Sequence, residues 1–204
     1  MKIKLVLLLL LFSMTLCYDI MVGSFTRDSF AKNDAKINSA LKLVKSEVSN
    51  KYNNSNLSVI PVALYSQIVN GINYKLIIGL HDISSGKLDL AHAIVYTGPF
   101  SDNYAAQSPS LTFFQKLPDD TTKTLEEEKF VYLNLAITDY LKLNGNSISS
   151  INSIVSYPNL VYNESYYVVY ATLKNQSENN ENQIFVVNYT DEQKFVVAKT
   201  IASK

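Results

Sequence analysis

Apolar residues recur along this chain with two different periods, and the period changes in a regular order. From Asp34 to Tyr52, Ile37, Leu41, Val44 and Val48 follow one another at three- and four-residue spacing, with Lys and Glu between them. That is one face of an amphipathic helix. Asn50 to Ser58 is polar and reads as a loop. The period then drops to two. Ile60, Val62 and Leu64 alternate, and Tyr74, Leu76, Ile78 and Leu80 alternate again, as in half-buried strands. Between these runs lies Asn70-Gly71, a hairpin signal because both residue types tolerate positive φ. Leu90–Tyr96 and Leu111–Leu117 predict two more strands.

The same order then restarts. Thr124 and Glu127 have the spacing of a capping box, and Phe130, Leu133, Ile137, Tyr140 and Leu141 form the apolar stripe of a second helix. Asn144-Gly145 is its expected stop. Strands are expected near Ser150–Tyr157, Ser165–Leu173, Ile184–Tyr189 and Lys194–Ile201. The two halves correspond residue by residue. Tyr65 and Tyr157, Val69 and Val161, and Tyr74 and Tyr166 are each 92 positions apart, and Leu41 and Leu133 share that offset. A helix followed by antiparallel strands, present twice, predicts an α+β protein with two domains.

The N-terminus has a different pattern. Lys2 and Lys4 precede an apolar run from Leu5 to Phe12, with Thr15 and Cys17 at the −3 and −1 positions of a cleavage site. This order of regions is that of a secretory signal peptide. Cleavage after Cys17 is expected, with Tyr18 as the new N-terminus; a lipid anchor on Cys17 is the rival, and Leu16 suits it poorly. Cys17 is the single cysteine, so the mature chain would have neither disulfide nor thiol nucleophile. Sequons at Asn53, Asn56, Asn163, Asn175 and Asn188 fit secretion and a glycoprotein, although an Asn-rich chain also makes such triplets by chance.

Composition narrows the chemistry. Lys plus Arg equals Asp plus Glu at 18 each, so no basic surplus favours nucleic acid. His81 and His92 lack metal-ligand spacing and read as ordinary strand residues. No G-x-S-x-G elbow and no glycine-rich phosphate loop is present. An enzyme is therefore not expected, and neither is a cofactor or metal.

The informative segment is Gln67-Ile68-Val69-Asn70-Gly71, followed by Ile72-Asn73-Tyr74. It reads as a tight hairpin with apolar residues beside the turn, where polar ones are usual. Gln67, Val69 and Gly71 match the Q-x-V-x-G signature, and here the chain resembles the cystatin family of cysteine protease inhibitors. Met21-Val22-Gly23 looks like the family's N-terminal glycine segment, with Ser24 where a second glycine is common. Gly98-Pro99-Phe100 looks like its proline-aromatic hairpin, with Phe100 in place of Trp.

The resemblance implies two cystatin-like domains, each an antiparallel sheet wrapped around one helix, at 18–118 and 119–204 after a signal peptide at 1–17. It implies a monomeric, secreted or endolysosomal, reversible inhibitor of papain-like (cathepsin-class) proteases. Gly23, the hairpin residues Gln67, Ile68, Val69, Asn70 and Gly71, and the pair Pro99 and Phe100 would form the binding edge. In the second half, Asn159-Leu160-Val161-Tyr162-Asn163 has lost both Gln and Gly, so that domain is expected to be non-inhibitory. The alternative is a cystatin-fold binding module without this inhibition, including a latexin-like inhibitor of metallocarboxypeptidases.

Overall fold

The computed structural model describes residues 24–30, 34–98, 108–118, 125–143, 145–161, 164–174, 177, 179–190 and 192–202. Gly23, Pro99, Phe100, Cys17 and the sequons at Asn163 and Asn175 lie outside them. The element order is β1 (Thr26–Asp28), α1 (Ala35–Tyr52), β2 (Leu57–Val69), β3 (Gly71–Asp82), β4 (Lys87–Thr97) and β5 (Ser110–Lys116). It continues with α2 (Glu127–Lys142), β6 (Ser147–Val161), β7 (Glu164–Lys174), β8 (Asn180–Tyr189) and β9 (Phe195–Ala202). Five strands form one sheet in the order β1-β2-β3-β4-β5, and four form another in the order β6-β7-β8-β9. Among the described residues the protein is α+β, with two antiparallel sheets and two helices.

The chain divides into two compact units. One comprises Met1–Ser46, Ala63–Leu76 and Ala93–Phe114; the other comprises Glu47–Val62, Ile77–His92 and Gln115–Lys204. In the first unit α1 buries Ile37, Ala40 and Val44, and β2 and β3 bury Leu64, Tyr65, Tyr74 and Leu76. Leu41 is only half-buried, because Ala40 takes the inward position. The buried helix residues Ala40, Val44 and Val48 therefore precede Leu133, Ile137 and Leu141 by 93 positions, whereas Tyr65 and Tyr157 differ by 92. The buried residues of the two halves thus share the 92-residue offset in the strands and are one residue out of register with it in the helices.

In the second unit α2 covers β6–β9 with Leu133, Ile137 and Leu141. These meet Tyr167, Val169, Ala171 and Leu173 of β7 and Phe185 and Val187 of β8, alternate residues on one face of each strand. Phe130 and Tyr140, expected in the stripe, are exposed; Tyr140 reaches the rim, its ring centre 6.5 Å from that of Phe185 in an edge-to-face arrangement. The helix begins after Glu126, which has no side-chain cap bond. Glu127 is thus its first residue, not the third as a capping box requires. At the other end Gly145, with φ +68, and Asn146 donate backbone bonds to Lys142 O and Leu141 O, which terminates the helix as expected.

The opposite face of β7 and β8 is also buried, through Tyr166, Val168, Ile184, Val186 and Asn188. On that face Tyr170 accepts a bond from the Leu88 backbone N–H at 2.8 Å, and its hydroxyl lies 3.4 Å from Leu88 O. One side chain of β7 thus closes a backbone donor and acceptor of β4. Asn188 is fully buried, and its amide donates to Glu164 Oε2 at 3.0 Å. A glycan on that nitrogen is incompatible with this packing; the sequons at Asn53 and Asn56 are exposed.

Candidate functional site

The segment Gln67–Gly71 is the turn of the β2–β3 hairpin, with Asn70 alone between the two strands. Gly71 has φ +125, in the region that favours glycine. Asn70 does not have positive φ, so the turn is not the doubly positive one that Asn-Gly suggests. Gly71 is buried, and the reason is close packing on β4. A Cβ there would lie 2.8 Å from Tyr96 Cε2 and 2.9 Å from its hydroxyl, and closer still to the Thr97 carbonyl oxygen.

Three further contacts stiffen the tip. The Tyr96 hydroxyl donates to the Asn70 carbonyl in a short bond. The Thr97 hydroxyl donates to Ile72 O at 3.3 Å. Asn73 Nδ2 donates to Gln67 Oε1 at 2.9 Å, across the base of the turn. Gln67 and Asn73 thus serve the hairpin's own geometry, and the residues left facing solvent are Ile68, Val69 and Asn70, two of them apolar. Ile68 is 61% exposed and Val69 41%. A tip held by β4 yet presenting two aliphatic side chains to water is a surface suited to burial by a partner.

β1 reaches the same end of the sheet. Its antiparallel register pairs Thr26 with Ser66, Arg27 with Tyr65 and Asp28 with Leu64. The Thr26 hydroxyl also donates to Ser66 O at 3.2 Å. The N-terminal end of β1 therefore lies beside the last residues of β2, next to Gln67. Phe25 is drawn in as well, with Lys75 Nζ 5.9 Å from its ring centre. Burial lowers the Lys75 pKa, while burial and then the charges of Asp34 and Asp28 raise that of Tyr74.

So β1, the β2–β3 turn and the last residues of β4 converge. Of the expected binding residues, Gln67, Ile68, Val69, Asn70 and Gly71 lie at this edge. Gly23, Pro99 and Phe100 fall outside the described residues. Sequence reasoning missed two contributors. β1 is three mostly polar residues and has no periodic signal. Tyr96 ends a strand in the sequence pattern, and an aromatic there, on the face opposite buried Val95, is the clue it offers.

Among the described residues no group of three or more His, Cys, Asp or Glu could hold a metal ion. His81 is buried on β3, with no hydrogen-bond partner for Nε2. Asn54 turns the chain after α1, its side chain accepting from the Asn56 backbone N–H at 2.9 Å. Among the described residues no helix is long and apolar enough to cross a membrane.

No family model matches the chain, and no curated protein matches it. Among solved structures it is similar to an Ntf2 like protein involved in plasmid conjugation, at 12% identity, covering 76% of this chain and 82% of that one. The TM-score is 0.31, too low to carry an argument about fold or function.

Proposed function

We propose that the protein is a secreted, reversible, non-covalent inhibitor of papain-like cysteine proteases. On this reading it consists of a signal peptide at 1–17 and two cystatin-like domains at 18–118 and 119–204, of which the first inhibits. The observation that carries the proposal is the exposed Ile68–Val69 tip, held from behind by Tyr96 and flanked by the N-terminal end of β1 and the C-terminal end of β4. The order β1-β2-β3-β4-β5, with α1 between the first two strands, is consistent with it.

The tip would enter the protease cleft as a wedge and bury Ile68 and Val69. Gly23 would bind on one side and Pro99 with Phe100 on the other. A turn already fixed by Tyr96 and by the Gln67–Asn73 bond loses little entropy on docking, so a small contact can bind tightly. No bond is made or broken, and the proposal needs no nucleophile, metal or cofactor. The protein acts as a monomer outside the cell or in the endolysosomal lumen.

The test is inhibition of papain by the chain beginning at Tyr18, beside a Gly23→Arg, Val69→Asp double variant. Nanomolar inhibition is expected from the former. A loss of about 100-fold or more is expected in the variant, because Val69→Asp puts a charge into an apolar contact. Absence of inhibition at micromolar concentration, from protein shown to be folded, refutes the proposal. Inhibition of a metallocarboxypeptidase in its place would establish the alternative.

A further inference from the structure

The second unit carries an open pocket of about 380 Å³ on its surface. Its walls are Ser85, Gly86 and Lys87 from the β3–β4 turn, Asn152 and Ser153 from β6, Tyr170 and Ala171 from β7, and Asn182 and Gln183 from β8. That volume is at the small end of small-molecule sites, which span roughly 300–1,000 Å³.

The β6 wall has an unusual origin in the sequence. Ile148, Ile151 and Ile154 are three residues apart, where a regular strand would return to one face every two. All three nevertheless pack against the core under α2. The pairing with β7 explains how. Ile148 pairs with Leu173 and Ser150 with Thr172; Ile151 pairs with Ala171 and Ser153 with Tyr170. Ser149 and Asn152 are each the extra residue of a bulge. Each bulge restores the isoleucine face and adds a polar residue to the strand.

Asn152 is held in a line of side-chain bonds. Ser150 Oγ donates to Asn152 Oδ1 at 2.9 Å, Asn152 Nδ2 to Thr172 Oγ1 at 3.1 Å, and Thr172 Oγ1 to Asn182 Oδ1 at 3.0 Å. The chain crosses three strands and ends with the Asn182 NH2 as a donor. The facing wall is fixed too. Gly86 N–H donates to Asp82 O at 2.8 Å, and Ser84 N–H to Asp82 Oδ1 at 2.9 Å. Lys87 is the one charged residue of the lining, and it pairs with Asp89 at 3.1 Å.

We propose that this pocket binds a neutral, hydroxyl-rich small molecule, a mono- or disaccharide. Amides and hydroxyls offer donors and acceptors side by side, as a ring of sugar hydroxyls requires. Tyr170 gives the wall an aromatic surface for a sugar's C–H face. The lining contains no histidine or carboxylate to activate the hydroxyls of Ser85 and Ser153, so the proposal is one of binding alone. The proposal is independent of protease inhibition, because none of these residues belongs to the β2–β3 tip.

The test is a nitrogen-15 NMR titration of the full mature chain with glucose, galactose, mannose, N-acetylglucosamine and their common disaccharides. Saturable shifts confined to Ser85–Lys87, Asn152, Ser153, Asn182 and Gln183 are expected for at least one sugar, with a Kd on the order of 1 mM. Asn182→Leu, at an exposed strand position, and Asn152→Ala should each weaken that binding about tenfold. The pair of variants keeps the test open should one of them fail to fold. No saturable shift at these residues with any sugar overturns the proposal. Tighter binding of glucuronate than of every neutral sugar overturns the neutral class.

Discussion

Replacing Gly71 by Ala tests whether the hairpin tip is built by close approach to β4. Two costs apply. The first is backbone: alanine at φ +125 adopts a sparsely populated conformation, at about 1–3 kcal/mol. The second is steric. The new methyl meets Tyr96 at 2.8 and 2.9 Å and the backbone oxygen of Thr97, and a carbonyl cannot rotate aside as a side chain can. Overpacking of this kind adds about 1–3 kcal/mol. Gly79 supplies the internal control. A Cβ there meets Leu88 Cδ1 at 2.8 Å, the movable end of a flexible side chain, and its backbone is not in the positive-φ region. Gly71→Ala should destabilise the protein by about 3 kcal/mol, or lower Tm by about 6–12 °C for a chain of this size. Gly79→Ala should cost less than half of that. Thermal and urea unfolding of both variants, with papain inhibition measured alongside, makes the comparison. If Gly71→Ala unfolds no more easily than Gly79→Ala and inhibits as well as the parent, the close-approach account is wrong.

Two further predictions rest on buried tyrosines. Tyr170→Phe removes the hydroxyl that satisfies the Leu88 backbone and should cost about 1–2 kcal/mol, read as a lower urea midpoint at unchanged m-value; an unchanged midpoint would show that water replaces the hydroxyl without loss. Burial raises the pKa of Tyr74, Tyr167 and Tyr170, so the native state holds their protons above the pH at which the unfolded chain releases them. The stability they contribute is complete below pH ~10 and is lost as pH rises through their folded values, so Tm should fall on going from pH ~9 to ~11. Absorbance titration should show exposed tyrosines ionising before these three, and a flat Tm across that interval would refute the assignment.

The sequence pattern revealed much of this architecture, and its failures have physical causes. The helical spacing at Ile37–Val48 identifies an element whose burial follows that spacing, apart from Leu41, whereas the alternation at Tyr74–Leu80 identifies β3 but not its burial, which is continuous from Leu76 to His81 because both faces of the strand are covered. The helix stripe of α2 was read too widely, because Phe130 and Tyr140 are apolar but Leu133, Ile137 and Leu141 suffice to cover the sheet. β6 was started three residues late. Its Ile-x-x-Ile-x-x-Ile spacing matches neither a strand nor a helix until two bulges are allowed. At the β2–β3 tip, Ile68, Val69 and Gly71 are legible because an apolar pair beside a glycine turn is unusual. β1 and Tyr96 are not, since their contribution comes from register and from contact across strands, which local pattern does not encode. Tyr170 was invisible for the same reason: its partner is 82 residues away.

The doubled bulge in β6 has a consequence for the fate of the protein at high concentration. β6 is the longest strand, 15 residues, and it lies at an edge of its sheet. A regular strand of that length would offer a flat row of backbone donors and acceptors to any other chain, a template for runaway stacking. Ser149 and Asn152 break that row twice within its first six residues. Deleting both would straighten the edge and bring the isoleucines to every second position, giving a β-prone segment of Ser and Ile with no charge. Ser149 and Asn152 thus interrupt the backbone edge along which another chain would have to pair.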